Sequence, residues 1–516
     1  MQPNESDIRK ALKEHKNTIG ASKFLREMGY KFSNCFIRKA CKEIKSEKPL
    51  ASGTIHNPIE SRAKLKGKRF VFTCAQNNTH VHKDFLKSLE TYCKANNAQL
   101  IVSKVTYNQN GFQNLTKEDK SIWYDPKIVK YLSGESMEVA KDLIWCGELN
   151  ILPTAVDPVS GLENYTGIAC SIIPHAKVRL LSVPTMKHEP AKFIYTTGSV
   201  TQRNYIQKKS GQKASFHHVF GAVVVEFAED GNWHARHLIA DKNGEFYDLK
   251  HVYTPKKIYK SKRVEAINWG DIHIGKEKQE NIDNCHTMLE DLKPRHQFIH
   301  DVYDFTARNH HNLKNKFHMA NEYFHGVNSV KQEIKHVSKF LNKISRSWCN
   351  TVIVESNHDL AFKRWLTEAS VASDPVNAEF FHTACARVYK SIRKREKDFS
   401  IFEWAVKKST YNLSKCTFLR QDESYRIKGI ECGMHGHVGP NGSRGSPKGL
   451  SKIGVKCNTG HTHTAGIIDG IYTAGVTGNL EQGYNIGPSS WSITHIVTYP
   501  NGKRTLITMK EGKYHA

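Results

Sequence analysis

The sequence has no pair of cysteines in a C-x-x-C arrangement, although it contains 12 cysteines in 516 residues. Structural zinc sites of the thiolate kind use such closely spaced pairs. Small disulfide-stapled domains carry cysteines at a much higher density than this chain does. The scattered cysteines therefore argue against both kinds of fold, and they favour reduced thiols in a cytoplasm.

Long apolar runs are also missing from the sequence. No run approaches the roughly 20 residues that a membrane-spanning helix needs. The first residues, Met-Gln-Pro-Asn-Glu-Ser-Asp, are polar, whereas a secretory signal would have an apolar core. We therefore expect a cytoplasmic protein with no membrane partner.

Acidic residues are scarce compared with basic ones. The chain has 50 Asp and Glu against 76 Lys and Arg, which gives a formal net charge of +26. Such an excess favours a polyanionic partner, and nucleic acid is the commonest one. Charge alone is equally consistent with lysines that merely face solvent, so a second signal is needed.

Five short stretches rich in Asp, Asn and His supply that signal. In order they are Asp271-Ile-His273, His300-Asp301-Val-Tyr-Asp304, Ser356-Asn357-His358-Asp359, His435-Gly436 and Gly460-His461-Thr-His463. Four of them directly follow an apolar run typical of a β-strand, and the second follows the weaker run Phe298-Ile299. The four runs are Val264–Trp269, Thr351–Val354, Ile427–Met434 and Ile453–Cys457, and a later strand is expected at Ile467–Ile471. Loops that leave the carboxyl ends of strands in an open α/β sheet converge on one crevice. The five stretches are therefore expected to meet in one site.

The residue types in these stretches suit a two-metal centre. Hard divalent cations prefer carboxylate oxygen, and Mn, Fe and Zn also accept imidazole. Two ions about 3.5–4 Å apart form the usual two-metal arrangement, and a bridging carboxylate offsets their mutual repulsion. Any one of the 28 histidines could instead be an ordinary core or turn residue. The interpretation therefore rests on the five stretches and their order, not on a single histidine.

The ordered set resembles the calcineurin-like metallophosphoesterases, whose pattern is D-x-H, G-D, G-N-H-D or G-N-H-E, H, and G-H-x-H. The resemblance covers roughly residues 262–500. His300 and Ser356 stand where the family has glycine, but neither change removes a ligand. The layout resembles SbcD-type DNA nucleases, and more closely large-phage enzymes associated with early degradation of host DNA. The closer resemblance includes the His-Asp-Val-Tyr-Asp stretch and the segment from Gly483 to Trp491.

The resemblance implies a role for each matching residue. One metal would be held by Asp271, His273, Asp301 and His463, and the other by Asp301, Asn357, His435 and His461. Asp301 would bridge the two ions, with Mn the expected metal and Mg, Fe or Zn the alternatives. His358 would act on the leaving oxygen or on transition-state charge, and Asp359 would orient His358. His437 is an alternative to His435, and Asp304, His310 and His311 are expected to line the site.

The expected fold class is α/β. The resemblance implies a metallophosphoesterase β-sandwich flanked by helices at residues 262–516. A smaller accessory α/β domain at residues 67–255 is expected to precede it, beginning with a strand at Lys68–Ala75, a helix at His80–Asn96 and a strand at Gln99–Val105. No chemistry can be assigned to this accessory domain. Residues 46–66 are polar and contain Pro49, Gly53 and Pro58, which is typical of a linker.

Residues 1–45 are predicted to form three short helices. Ser6 is the expected cap of the first, Thr18–Gly20 a turn, and the second is expected to begin at Ala21. The third, from about Ser33, carries Arg38 and Lys42 on its outer face. This layout resembles a helix-turn-helix unit, whose last helix enters the major groove of DNA. The alternative is a helical cap or oligomerisation arm with a solvated basic face, so a homo-oligomer remains open.

Two further basic stretches are candidate DNA contacts. The first, Lys390–Lys397, includes Arg393 and Arg395 and is expected to be helical. The second is the glycine-rich loop Gly439–Gly445, which includes Arg444. Each could contact a phosphate backbone, and each could equally be a solvated surface.

The motifs, the charge and the family resemblance together predict a divalent-metal-dependent phosphodiesterase that hydrolyses DNA. The resemblance to large-phage enzymes implies a phage-encoded protein that degrades host DNA in the bacterial cytoplasm. The alternatives are a phosphatase acting on a small molecule or protein, and a DNA-binding protein without catalytic activity. The motifs predict the type of reaction but not the substrate, because enzymes that share one fold act on many different substrates.

Overall fold

The computed structural model describes residues 2–15, 17–46, 62–107, 122–309, 312–313 and 315–515. The chain divides into two compact units, Met1–Arg62 and Ala63–Ala516, which are treated separately below. Most of the predicted linker, together with His310 and His311, lies outside the described residues.

The α-helices of the described residues are α1 (Glu5–His15), α2 (Thr18–Glu27), α3 (Asn34–Ser46), α4 (Lys83–Ala95), α5 (Lys209–His217), α6 (Gln279–Leu292), α7 (Lys316–Phe324), α8 (Val330–Ile344), α9 (Asn357–Glu368), α10 (Pro375–Arg393), α11 (Ile401–Lys407) and α12 (Pro447–Leu450).

The β-strands are β1 (Ala63–Lys64), β2 (Arg69–Gln76), β3 (Gln99–Val105), β4 (Leu132–Ser133), β5 (Ser136–Ala140), β6 (Leu143–Cys146), β7 (Cys170–Ile173), β8 (Leu180–Val183), β9 (Lys192–Thr196), β10 (Gly221–Phe227), β11 (Trp233–Ile239), β12 (Phe246–Asp248), β13 (His251–Tyr253), β14 (Ile258–Lys260), β15 (Ala266–Asn268), β16 (His296–His300), β17 (Asn350–Val354), β18 (Cys416–Leu419), β19 (Arg426–Ile427), β20 (Ile430–Glu431), β21 (Lys456–Thr459), β22 (Gly466–Ile468), β23 (Ile471–Thr473), β24 (Thr494–Thr498) and β25 (Arg504–Thr508).

The first unit contains the three predicted helices, packed around a small apolar core. Its buried side chains are Ile8, Ala11, Ala21, Leu25, Ile37 and Cys41. The expected turn at residues 18–20 is wrong, because the Asn17 side chain accepts a hydrogen bond from Gly20 N–H and α2 begins at Thr18. The first helix starts at Glu5, and Asn4 and Asp7 exchange two hydrogen bonds of 3.0 Å. Ser6 is therefore inside the helix and is not its cap.

A six-stranded sheet in the second unit positions the motifs. Its order is β18-β17-β16-β15-β24-β25, and the first four strands are mutually parallel. One face packs against α6 and α8–α11 through a large apolar core. The opposite face, which includes Phe298 and Val352, packs against Ile427 and Ile430 of β19 and β20. Helices and strands therefore cover the two faces of one sheet, and the α/β class is confirmed.

An eleven-stranded sheet crosses the predicted boundary between residues 255 and 262. Its order is β1-β5-β6-β7-β9-β8-β22-β23-β21-β20-β19. Strand β8 pairs with β22, with Leu181 opposite Gly466. This pairing satisfies backbone groups that two separate sheet edges would leave open. Residues 63–516 accordingly form one compact unit, without the break that the sequence suggested.

The predicted β-α-β start is confirmed as β2, α4 and β3, with β2 and β3 parallel in a five-stranded sheet of order β11-β10-β2-β3-β4. Strands β12, β13 and β14 form a small separate sheet. Two long predicted strands are instead hairpins. The run Ile427–Met434 turns at Lys428 and Gly429, and the run Ile467–Ile471 turns at Asp469 and Gly470. All four turn residues have positive φ, which suits a tight hairpin turn.

No helix in the described part of the chain is both long enough and apolar enough to cross a membrane.

Candidate metal centre

The five motif stretches meet at one place in the structure. Three of them follow the carboxyl ends of the neighbouring parallel strands β15, β16 and β17. The other two follow β20 and β21 of the facing sheet. Backbone hydrogen bonds join the stretches, because His273 N–H donates to Asp301 O (2.8 Å) and Gly460 N–H donates to His435 O (2.8 Å). The predicted convergence is therefore present.

A first cluster consists of Asp271, His273, Asp301 and His463, all buried. Asp271 Oδ2 lies 3.1 Å from His463 Nε2, and Asp301 Oδ2 lies 3.8 Å from His273 Nε2. The Nε2 atoms of His273 and His463 are 2.9 Å apart. These four side chains point their ligand atoms at a common point and could hold a metal ion.

A second cluster adjoins the first one. His435 Nε2 lies 3.2 Å from Asp301 Oδ2, and the His461 ring lies 5.2 Å from the His435 ring. The ligand atoms of His435, Asp271 and His300 lie within 4.8 Å of one another. His300 was treated in the sequence only as a replaced glycine, so this candidate ligand was missed. Its signal was its place between a strand and Asp301.

The donor atoms of these clusters are unusual because many make no hydrogen bond. Among the described residues, Asp271 Oδ1, Asp301 Oδ1, Asn357 Oδ1, His435 Nδ1 and His463 Nδ1 are buried without a hydrogen-bond partner. Buried polar atoms are normally hydrogen-bonded, and leaving them without a partner costs free energy. A divalent cation would satisfy them, so the residues present fit a metal ion.

The backbone of the ligand residues is strained. His273, Asp301, His461 and His463 have φ angles of 53°, 42°, 72° and 55°. The left-handed conformation costs a non-glycine residue roughly 1–3 kcal/mol, and such strain clusters at functional sites. Gly460 is needed for a different reason, since a Cβ atom there would lie 2.2 Å from Asp271 Oδ1.

The electrostatics of the clusters favour a bound cation. Burial tends to raise the pKa of Asp301, but His435 and His358 outweigh it and hold this pKa well below the usual range. Burial tends to lower the pKa of His435, but Asp301 outweighs it and raises this pKa to about 9. A metal ion bound to both residues would take the place of the proton on His435.

The partner of His358 is Asp304 rather than Asp359. His358 Nδ1 lies 3.0 Å from the Asp304 carbonyl oxygen, and Asp304 Oδ1 accepts from His273 Nδ1 at 2.9 Å. Asp359 instead exchanges two 3.1 Å hydrogen bonds with Ser356. The reason is that α9 begins at Asn357, so the third helical residue turns back to cap the helix. Asp304 lines the site as expected, and it contacts His358 in place of Asp359.

Lys276 was also missed in the sequence. Its Nζ lies 2.9 Å from Asp304 Oδ2, and its side chain is 24% exposed. In the sequence, the only indication of a role for Lys276 is that it follows Asp271 and His273 closely along the chain. Because its charge is close to the clusters and reaches solvent, Lys276 can meet an anion that approaches them.

The glycine-rich loop lies close to the second cluster. Gly445 N–H donates to His437 O at 2.9 Å, and a Cβ atom on Gly445 would lie 1.8 Å from Gly436 O. Arg444 is exposed on this loop. His437 is half-buried beside His435, with ring centroids 5.3 Å apart, and His435 is the one that contacts Asp301.

Within the second unit, Arg393 and Arg395 are not brought into these clusters by any contact of the described residues. Arg393 is the last residue of α10, so the predicted helix to Lys397 is too long, and Arg395 has a φ of 53° just beyond it. Both are exposed, as are Arg38 and Lys42 of the first unit. Their role in DNA binding stays a prediction.

Comparison with known proteins gives one informative result. No family model and no solved structure matches the chain. The chain is 44% identical to "Protein A1" of Escherichia phage T5 over 496 residues, which cover 93% of this chain and 88% of the relative. This relative supports the phage origin that the sequence suggested. At this identity and coverage, the chain belongs to the same protein family as Protein A1 of phage T5.

Proposed function

We propose that the protein is a divalent-metal-dependent phosphodiesterase that hydrolyses DNA, built on a calcineurin-like metallophosphoesterase sandwich. The observation that carries the proposal is the cluster of Asp271, His273, Asp301 and His463, whose buried ligand atoms converge. The packing of β19 and β20 against the six-stranded sheet supports a sandwich.

Two ions are proposed because two carboxylates are shared between the clusters. Asp301 Oδ2 lies within reach of both His273 and His435, and Asp271 belongs to both groups of ligand atoms. Asn357, with its partnerless Oδ1, and His461 would complete the second set. The mixture of carboxylate, amide and imidazole suits Mn best. When bound, such ions supply Lewis-acid stabilisation of phosphoryl oxygens and a nucleophilic water near neutral pH.

His358 is the proposed catalytic residue. Its Nδ1 faces a carbonyl oxygen, which can only accept, so Nδ1 carries a proton and Nε2 is left for the substrate. The side chain is 19% exposed, so a phosphodiester can reach it. His358 would donate a proton to the leaving oxygen or stabilise its developing charge.

DNA is the proposed substrate because of charge. The net charge of +26 and the exposed Arg38, Lys42 and Arg444 favour a polyanion. The kinship with a phage protein is consistent with action on host DNA in the bacterial cytoplasm. A metal centre open to solvent through His358 and Lys276 suits a backbone phosphate.

The test is incubation of the purified protein with linear and circular DNA, with Mn²⁺ and with excess EDTA. Cleavage is expected only with the metal. Full cleavage in EDTA would contradict the metal mechanism. Rapid turnover of p-nitrophenyl phosphate without DNA cleavage would instead indicate a phosphatase, and DNA binding without any hydrolysis would indicate a non-catalytic protein.

A further inference from the structure

Two aromatic side chains border the metal centre on one side. The Trp491 ring lies edge-on to His463, with ring centroids 4.2 Å apart. The Tyr484 ring follows at 5.6 Å from the Trp491 ring. Trp491 is half-buried, whereas Tyr484 is 52% exposed. A single side chain therefore separates an exposed aromatic ring from a residue of the first cluster.

A second route connects the same ring to the centre. Lys276 Nζ lies 5.3 Å from the centre of the Tyr484 ring and 2.9 Å from Asp304 Oδ2. Burial raises the pKa of Tyr484, and the carboxylates of Asp304, Asp301 and Asp271 raise it further. The ring thus lies within the electric field of the cluster and beside a cation that reaches solvent.

The ring is held in place. The Tyr484 hydroxyl donates to Gln482 Oε1 at 2.9 Å, and Gln482 is itself buried. Gln482 Nε2 donates to Asn479 O at 3.2 Å. An exposed aromatic ring that is anchored at its polar end offers one face to a ligand at little cost in side-chain entropy.

We propose that Tyr484 is a stacking platform for an unpaired nucleobase of the strand whose phosphate lies at the metal centre. This inference rests on the proposed function and specifies its substrate as single-stranded DNA or an unpaired end. Flat aromatic rings beside cations are how proteins hold single strands without reading their sequence. Bases inside a duplex are already stacked on both faces, so they cannot use the ring.

The charge next to the ring argues for a nucleotide rather than an apolar protein side chain. Lys276 supplies a positive charge beside Tyr484, and the phosphate of a stacked nucleotide carries the matching negative charge. An apolar side chain stacked on Tyr484 would make no new charge interaction with the Lys276 ammonium group.

The test measures coupling between the ring and the base. Wild type, Tyr484→Leu, Tyr484→Phe and the control Ile486→Ala are compared on oligothymidine and on a fully abasic strand of equal length, with Mn²⁺. Ile486 is a suitable control because it lies two residues away and is 87% exposed. Binding of both strands is also measured in EDTA, so that this readout does not depend on cleavage. In the binding experiment the oligothymidine carries a 2-aminopurine as fluorescent reporter, and the abasic strand carries none.

For wild type, KM and Kd are expected to be about 5- to 150-fold lower for the strand with bases, from the usual strength of base stacking. Tyr484→Leu should remove this difference and the 2-aminopurine quenching, whereas Tyr484→Phe and Ile486→Ala should keep both. Wild type should also cleave oligothymidine faster than the same strand in a duplex.

Equal losses on both strands in Tyr484→Leu, or no loss, would overturn the stacking platform. Equal rates on single strand and duplex would do the same. If the base-dependent binding is present but no strand is cleaved with Mn²⁺, the proposed function fails while the platform stands. If cleavage occurs without base dependence, the platform alone fails.

Discussion

The carboxylate of Asp304 accepts a 2.9 Å hydrogen bond from Nδ1 of His273. This bond fixes the tautomer of the imidazole, so that the lone pair of Nε2 is available to a cation held together with Asp301 and His463. Carboxylates placed behind ligand histidines in this way raise ligand basicity and fix ring orientation. Asp304 also holds His358 through its carbonyl group, so one residue positions both a candidate ligand and the candidate catalyst.

Asp304→Asn is expected to weaken metal binding by about 10- to 100-fold, which is the usual effect of losing such a carboxylate. The measurement is a metal titration of the purified variant. Asp359→Asn is the matched control, because Asp359 is buried nearby but is bonded to Ser356. An amide can still accept from the Ser356 N–H, so metal affinity should be retained. The reverse order of effects would restore the role that the sequence suggested for Asp359.

The variants Asp301→Asn and His358→Ala distinguish a residue that binds metal from a residue that acts in catalysis. Asp301→Asn removes the charge shared by the two clusters and should lose both metal and rate. His358→Ala should keep the metal yet lose about 10²–10⁴-fold in cleavage rate, as for a positioned acid. Elemental analysis and initial rates check both expectations. A metal-depleted His358→Ala with a fully loaded Asp301→Asn would contradict the assignment.

Deletion of residues 1–45 is expected to weaken DNA affinity and leave cleavage of a small phosphodiester intact. The reason is that α3 exposes Arg38 and Lys42 in a unit with its own core. The measurement is Kd at several salt concentrations. Loss of phosphate contacts should also flatten the salt dependence, because fewer counterions are released on binding. Unchanged affinity at every salt concentration would favour a cap or oligomerisation arm.

Glu226 should make the stability of the second unit sensitive to acid. Its buried carboxylate pairs with Arg236 and Arg69. Burial tends to raise the pKa of Glu226, but the arginines outweigh it and hold this pKa below its usual value of 4.5. The unfolded chain therefore binds the proton first as pH falls. The stabilisation is complete above about pH 4.5 and is lost as pH falls below that value.

Glu226→Gln tests this expectation by urea unfolding between pH 7 and pH 3. At pH 7 the variant should lose about 1.5–3 kcal/mol, the typical contribution of hydrogen bonds to charged groups. The difference from wild type should stay constant down to about pH 4.5 and shrink below that value. A difference that stays constant below about pH 4.5 as well would show that packing, rather than charge, accounts for the loss.

Much of the local structure follows from the sequence alone. The strand Gln99–Val105 was predicted with the bounds that β3 has, since an apolar run between polar turns specifies a buried strand by itself. The order of the Asp and His stretches after apolar runs also predicted a common crevice, because parallel strands end at the same edge. Asp271, His273, Asp301 and His463 belong to these stretches, and the family resemblance implied them as ligands of one metal.

Tertiary structure decided what depends on contacts between distant segments. The family resemblance implied Asp359 as the partner of His358, but Asp359 caps its helix through Ser356, and Asp304 contacts His358 instead. The pairing of β8 with β22 merged two expected domains into one unit. Tyr484 lies near the metal centre because Trp491 packs on His463 and because Lys276 lies between the Tyr484 ring and Asp304. Periodicity and turn residues act over a few positions, so the sequence determines elements and motif order. Register and packing act across the whole fold, so they alone determine which side chains meet.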